Sequence, residues 1–217
     1  MKKIFIFFLL YCQTIYAEPL ITHSYIALDK IQKVSRFRSG VGHNYSFDPA
    51  EPCRSMKHYF VPVSDDPKQM PTIMAPLDGQ IVAITPEWAG SQVVLLSASY
   101  DPVRVIIFHV LPVVDLKVGQ KVQSGQILGR HIGSQTYSDI AIMDEKNGKL
   151  LSYFDLMTDA VFNEFTTYAQ NPVTHTSMII SAAERNQSPL RCGPPPEEKI
   201  LSPGEIENWI YTRSGSI

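Results

Sequence analysis

The sequence predicts a mostly β domain, a β-sandwich or barrel-sandwich hybrid, with short helices confined to a C-terminal extension. Three observations predict it. Val103 to Val110 is a β-branched run with one histidine, His109, near its end. Within Val118 to Gly129, two Val/Ile-rich pieces sit either side of Ser124-Gly125, and Gly119 precedes the first. Glycines in such places supply the positive φ of a tight hairpin turn. Asn147-Gly148, between the apolar pieces Ser138–Met143 and Leu150–Phe154, is a second and sharper hairpin signal.

The chain of 217 residues is long enough for one domain with a sizeable core, or one domain with extensions. Its 44% apolar and 18% charged residues are those of an ordinary globular protein. A formal charge of −2 gives no basic field of the kind a nucleic-acid partner needs.

The N-terminus reads as an export signal over residues 1–17. Lys2 and Lys3 form its charged end, Ile4 to Leu10 its apolar core, and Ile15-Tyr16-Ala17 the small-residue site before Glu18. The apolar run is too short to span a bilayer, so no membrane span is expected after its removal. Cys12 is expected to leave with it, because Tyr11 is too bulky for a lipid-attachment site. The two lysines leave as well, so 17 basic residues (19 less two) face 21 acidic ones, a charge of −4. The implied location is the periplasm or the extracellular space. Two cysteines then remain, Cys53 and Cys192, and an oxidising compartment predicts a disulfide between them. It would tie an N-terminal loop to the C-terminal segment.

Along the chain, a β domain is expected over 18–156 and an extension packed on it over 157–217. A first strand is expected at Ile21–Leu28. Residues 39–60 lack periodicity and are rich in turn formers, and ordered loops of this kind carry function. Strands are expected at Gly79–Ile84, Gln92–Ser97, Val103–Val110, Lys121–Gly129, Ser138–Met143 and Leu150–Phe154. After residue 154, Phe154, Met157, Val161, Phe162, Phe165 and Tyr168 recur at helical spacing, which predicts a helix over 155–169 with that stripe on the sheet. A short strand is expected at Ser177–Ser181. Ser202-Pro203-Gly204-Glu205 reads as a capping box opening a terminal helix through Trp209.

The stretch from 103 to 142 resembles the lysostaphin-like (LytM-like) zinc endopeptidases of bacterial cell walls. In that family a strand ending in His-Leu is followed by "V-x-x-G-x-x-V-x-x-G-Q-x-I-G". Here His109-Val110 and then Leu116 to Gly129 fill that pattern, and Ala75-Pro76-Leu77-Asp78-Gly79-Gln80-Ile81-Val82 is similar to the family's "A-P-x-x-G-x-V" strand entry. The resemblance covers about residues 36 to 156. Biotinyl, lipoyl and phosphocarrier domains have similar hairpins, so the turn specifies fold better than function. Met56-Lys57-His58, the nearest approach to a biotin-type "M-K-M", lacks the second methionine.

The resemblance implies a zinc held by the His and Asp of an "H-x-x-x-D" segment and by the second His of an "H-x-H" strand. Three protein ligands and an open position for water make a catalytic zinc, which activates that water and polarises the scissile carbonyl. The implied substrate is a peptide cross-bridge in peptidoglycan. Within Gly42 to Asp48, His43 and Asp48 correspond to the first pair, one residue wider than the motif; His58 and Asp65 are a poorer pair. His109 takes the His-Leu position as general base or oxyanion donor. The "H-x-H" strand fails: counting back from Asn147-Gly148 puts Asp139 and Ala141 at the two histidine positions. Alanine binds no metal, and residues two apart on a strand sit roughly 6–7 Å apart, so Asp139 does not simply replace it. A slipped register puts Tyr137 and Asp139 there instead, giving a His43–Asp48–Asp139 zinc site with Tyr137 as proton donor. Two readings therefore stand: a catalytically degenerate domain that binds peptidoglycan or a cell-envelope protein, and a divergent zinc metalloendopeptidase.

Overall fold

The computed structural model describes residues 19–99, 102–202 and 208–216. The leader and residues 203–205 of the expected capping box lie outside them. The strands are β1 (Ile31–Ser35), β2 (His58–Pro62), β3 (Thr72–Met74), β4 (Gly79–Glu87), β5 (Gly90–Ser97), β6 (Val103–Pro112), β7 (Lys121–Val122), β8 (Ile127–Arg130), β9 (Ser138–Asp144) and β10 (Leu150–Leu151). Helix α1 (Asp159–Tyr168) and helix α2 (Ala182–Gln187) follow, then β11 (Arg191–Cys192), β12 (Ile200–Ser202) and β13 (Trp209–Tyr211). The fold is mostly β, as the sequence predicts. A large antiparallel sheet runs in the order β13-β1-β2-β9-β6-β5-β4-β7, with β10 on β9 and with β8 joining β3 to the end of β6. Among the described residues this path does not close into a barrel.

Alternation along the central strands divides the side chains between two faces. Val103, Val105 and Ile107 of β6, with Ile140 and Ile142 of β9 and Phe60 of β2, enter the main core. Ile106, Phe108 and Ala141 face the other way, into a small cluster with Val94, against which Tyr45 packs. Strand β6 breaks this alternation once. His109 lies at φ 59°, and the three-residue step from Ile107 to Val110 in β6 faces the two-residue step from Val93 to Ser91 in β5. The extra residue is a β-bulge, which lets neighbouring side chains turn to one side. Beyond it Leu111 and Pro112 pair with β8, so β6 belongs to both layers.

Several expectations are corrected. The Ser124-Gly125 turn does not close a hairpin: β7 pairs with β4, and β8 with β3 and β6, so the turn passes the chain between layers. No continuous strand forms over Ile21–Leu28. Ser24 Oγ bonds the backbone of Ile26, leaving single bridges at Ile21 and Ile26; such local bonds compete with ladder pairing. The expected helix over 155–169 is shorter, because Thr158 caps it and Phe154–Leu156 is a 3₁₀ turn. Val161, Phe162 and Phe165 enter the main core as expected. Ser181 ends no strand: it caps α2, reciprocally with Glu184. Trp209 lies in no helix; it pairs with Ser35 across β1 and β13 and carries the Lys33 ammonium 4.3 Å over its ring.

Cys53 and Cys192 are disulfide-bonded across 139 residues. Around this link, Gly42 to Asn44 runs beside Glu198 to Ile200. His43 bridges Lys199, Asn44 N–H donates to the Glu198 carbonyl, and Ile200 N–H donates to that of Gly42. The C-terminal segment thus holds the aperiodic loop in place. Closing so long a loop stabilises by at most ~5 kcal/mol on the chain-entropy model. Paired Cys53→Ser and Cys192→Ser substitutions should lower the thermal midpoint by several degrees and raise hydrogen exchange first at residues 42–45, measured by mass spectrometry.

Candidate functional site

Lys57, directly before β2, is the centre of the site. Strand alternation sends His58 and Phe60 into the main core and Lys57 and Tyr59 to the opposite face. His58 is a core histidine: Nδ1 bonds the Ser35 carbonyl at 2.8 Å and Nε2 the Ser152 hydroxyl at 3.0 Å. Lys57 is 2% exposed and its ammonium donates to Asp139, itself 1% exposed, on the neighbouring strand β9. The register Tyr59↔Asp139 sets this meeting.

Three rings complete the box. Lys57 Nζ lies 4.1 Å from the Phe108 centroid, 4.6 Å from that of Tyr45 and 5.0 Å from that of Tyr59. Ring faces attract a desolvated cation by up to ~2 kcal/mol each. His43 Nε2 stands 3.4 Å from the same ammonium. Gly42 makes this approach feasible: its φ is 76°, and a Cβ there would lie 2.2 Å from Tyr59 Oη. Burial pushes the Lys57 pKa down, but the Asp139 charge, with lesser help from the two tyrosines, outweighs it and leaves it above the ordinary lysine value. The lysine is therefore a cation at neutral pH. Burial, then the Lys57 charge, hold His43 below the usual histidine value, so that ring is neutral.

The bulge at His109 extends the network. Phe108 and His109 both turn toward the Lys57–Asp139 side. His109 Nε2 lies 3.6 Å from Asp139 Oδ1, and its Nδ1 lies 3.2 Å from Glu87 Oε2. The same carboxylate accepts the His109 backbone N–H at 3.0 Å, satisfying a donor that the bulge frees from the ladder. Burial would lower the His109 pKa, but the Glu87 hydrogen bond and the Asp139 and Glu87 charges raise it. Burial would raise Glu87, but its bonds to His109 hold it below the usual carboxylate range. The ring of Trp88, 76% exposed, packs 5.7 Å from that of His109. Fully buried His131 also meets the His109 ring, edge-on at 6.4 Å between centroids. Burial, then the His109 charge, push His131 down to about 4. The Gly133 and Tyr137 backbones act weakly in the other direction, but neither His131 ring nitrogen makes a hydrogen bond of good geometry.

Of the residues expected to hold metal, His43 and Asp139 therefore converge, but on Lys57. Asp48 Oδ1 accepts the Ala50 N–H at 2.8 Å. It lines a cavity of about 510 Å³ with Arg38, Glu51 and Lys149, whereas His43 lines one of about 490 Å³ with Pro196, Glu197 and Lys199. Ala141 shares the face of Asp139 and packs in the small cluster with Phe108. Tyr137 is exposed, its ring edge-on to Tyr59 at 6.0 Å and to Trp209 at 5.8 Å. Among the described residues, no group of three His, Cys, Asp or Glu side chains is arranged to hold a metal ion. The sequence reading weighs Lys57 only as a biotin-type lysine and does not single out Glu87 or His131. For Lys57 a signal existed: a lone cation at the head of the apolar run His58 to Val61 falls on the same face as Tyr59.

No family model matches the chain, and no curated protein sequence does either. Among solved structures it is similar to lysostaphin, with 21% identity and a TM-score of 0.38, over 57% of this chain and 47% of that one. It is similar to Csd3 of Helicobacter pylori, with 16% identity and a TM-score of 0.39, over 59% of this chain and 33% of that one. A peptidase M23 from Pseudomonas aeruginosa matches 56% of this chain and half of its own, with 16% identity and a TM-score of 0.35. The chain thus spans about half the length of the lysostaphin structure and a third of that of Csd3.

Two measurements probe the site. Lys57→Met leaves the buried Asp139 charge without its hydrogen-bonded cation, with only His109 at 3.6 Å beside it, and should cost about 3–5 kcal/mol in urea unfolding; Lys57→Met with Asp139→Leu should recover most of that. The second concerns pH. His58 and His131 are both held at about 4 by burial, below the ordinary 6.5. The unfolded chain therefore binds their protons first, and stability falls as pH drops from 6.5 toward 4, by roughly 3 kcal/mol per histidine. The His109–Glu87 pair contributes fully between 4.5 and 6.5: the Glu87 part is lost as pH falls through its depressed pKa, and the His109 part as pH rises through its elevated one. His131→Leu should flatten the acid slope of the thermal midpoint by about half.

Proposed function

We propose that this chain is an exported, catalytically degenerate LytM-like domain that binds peptidoglycan or a cell-envelope partner through the surface around His109 and Trp88. The observation that carries this is the Lys57 ammonium, donating to Asp139 and facing His43 Nε2 at 3.4 Å. A zinc ion does not fit this donor set. Two of its three expected ligands already surround a protein cation, a dication beside an ammonium is repelled, and the third, Asp48, is engaged in its own turn. The Cys53–Cys192 disulfide and the sequence of residues 1–17 support export.

A binding role uses what the cleft presents. Trp88 stands exposed beside His109, whose pKa the neighbouring carboxylates raise, and Glu87 lies against that ring. An aromatic face with a cation and a carboxylate suits the amide- and sugar-rich polymer of the wall, where stacking and charged hydrogen bonds act together.

The mature chain should sediment with purified, insoluble peptidoglycan and release no soluble fragments from it, assayed by chromatography of the supernatant. Trp88→Ala should weaken retention about tenfold, or ~1.4 kcal/mol. Failure to sediment would remove the wall as ligand. Release of peptide-linked fragments, abolished by a chelator, would establish the divergent metallopeptidase instead.

A further inference from the structure

A buried lysine nitrogen held against a buried carboxyl group is the starting arrangement for an amide. We propose that Lys57 and Asp139 condense within the folded chain, with no second enzyme, to an Nζ–Cγ isopeptide bond that staples the head of β2 to β9. The linkage goes beyond the binding role and does not depend on what the outer surface binds. An amide there keeps a metal out as the ammonium does.

The two reacting groups have little freedom. Asp139 sits mid-sheet on β9 opposite Tyr59, and Lys57 directly precedes β2, fixed by the pairing of His58 with Ile140. Nζ already donates to Asp139 Oδ2, so the nucleophile and the carboxyl carbon are one oxygen apart. Groups placed in this way react as though at ~10⁵–10⁸ M. Lys57 is 2% and Asp139 1% exposed, and the rings of Phe108, Tyr45 and Tyr59 surround the nitrogen. In bulk water the hydration of two separate ions favours amine and acid over amide. Here folding has removed most of that hydration, and an amide is a neutral group that hydrogen bonds can satisfy.

A proton acceptor stands on the nitrogen side and a proton donor on the carboxyl side. His43 Nδ1 lies 3.0 Å from the Asn44 carbonyl, so this neutral ring carries its proton there and turns the Nε2 lone pair toward Nζ, 3.4 Å away. Asp139 Oδ1 is buried without a hydrogen-bond partner and lies 3.6 Å from His109 Nε2. Glu87, 3.2 Å from the other nitrogen of that ring, holds it in line and favours its protonated form. A small closing motion brings both contacts into hydrogen-bond reach, as catalytic contacts commonly tighten when reaction begins.

The step needs no co-reactant. His43 Nε2 takes one proton from the ammonium, and His109 Nε2 gives one to Asp139 Oδ1, leaving an amine beside a carboxylic acid. The amine lone pair attacks Cγ, and the carbonyl electron pair moves onto oxygen. Collapse completes the Nζ–Cγ amide, breaks one Cγ–O bond and releases that oxygen as water. Of the three ammonium protons, one stays on the amide nitrogen and two are balanced by the water; each imidazole ends as it began. The amide oxygen then faces His109 and the amide N–H faces His43. The water leaves past His43, which is exposed and lines the cavity it shares with Glu197 and Lys199. The domain gains a second covalent tie beside Cys53–Cys192, one that reductants do not cut.

Intact-mass spectrometry of the folded mature chain, followed by peptide mapping after reduction, tests this. Wild type should weigh one water less than its disulfide-bonded sequence, and its digest should contain a branched peptide joining Lys57 to Asp139. Lys57→Arg keeps a cation but not the amine and should have its full sequence mass. His109→Gln should close roughly a hundredfold more slowly, the loss expected for one general acid, so that a fresh preparation starts near full mass and loses the water over time. Closure of a folded His109→Gln at the wild-type rate overturns the role given to His109. A folded wild type still at full sequence mass after prolonged incubation overturns the linkage, whether or not any variant folds. So does a missing water that maps elsewhere, to a cyclised Glu18 or to a succinimide. Either result leaves sedimentation with peptidoglycan, and the binding role, to be judged separately.

Discussion

The buried pair of Lys57 and Asp139 is the constraint around which the rest of the site is arranged. Taking both charges out of water costs several kcal/mol each, and their attraction repays this only with good geometry and further partners. The fold supplies both. The β2–β9 register brings the carboxylate to the ammonium, and Phe108, Tyr45 and Tyr59 surround it. The rings alone are too weak to hold an ammonium in the charged state against full desolvation. The carboxylate decides the protonation state, and the rings decide where the cation sits.

From that pair the charges alternate outward. Asp139 faces His109, His109 faces Glu87, and His43 approaches as a neutral ring from the other side. Each cation has an anion beside it, so the interior of the cleft is close to neutral. Its reactive-looking side chains serve each other before they serve any ligand. Trp88, at the outer edge of the chain of charges, is the group left free to meet one. The main core behind the sheet is indifferent to all this: it is built from Ile, Val, Leu and Phe on the opposite face of the same strands.

The β class, most central strands and the Asn147-Gly148 hairpin were legible because they rest on local signals: β-branched runs, alternation and turn glycines. The pairing of Leu150 with Met143 follows from that hairpin, and it leaves Asp139 and Ala141 on one face as counting back from the turn implied. The Cys53–Cys192 bond was legible by elimination. What failed did so where side chains compete with the backbone, at Ser24 and Ser181, or where a strand's partner is distant in sequence, as for Trp209. Within the site, His43, Asp139 and His109 are legible through the spacing they share with the lysostaphin-like motifs, which says nothing of what lies between them. Lys57 is not legible as a site residue from sequence, because a lysine at the head of an apolar run ordinarily reaches for solvent. Only the depth at which β2 meets β9 keeps it inside.

The bulge at His109 makes the cleft depend on a single residue of strand length. Strands address their two sides in strict turn, so removing one residue between Ile107 and Val110 would bring β6 back into step. The main core would lose nothing, since Val110 would still point into it. The cleft would keep either its aromatic wall or its imidazole, and not both. A backbone irregularity of one residue is thus what lets adjacent positions share a pocket, and homologous chains that preserve the sheet but drop that residue would have a different surface here with the same interior.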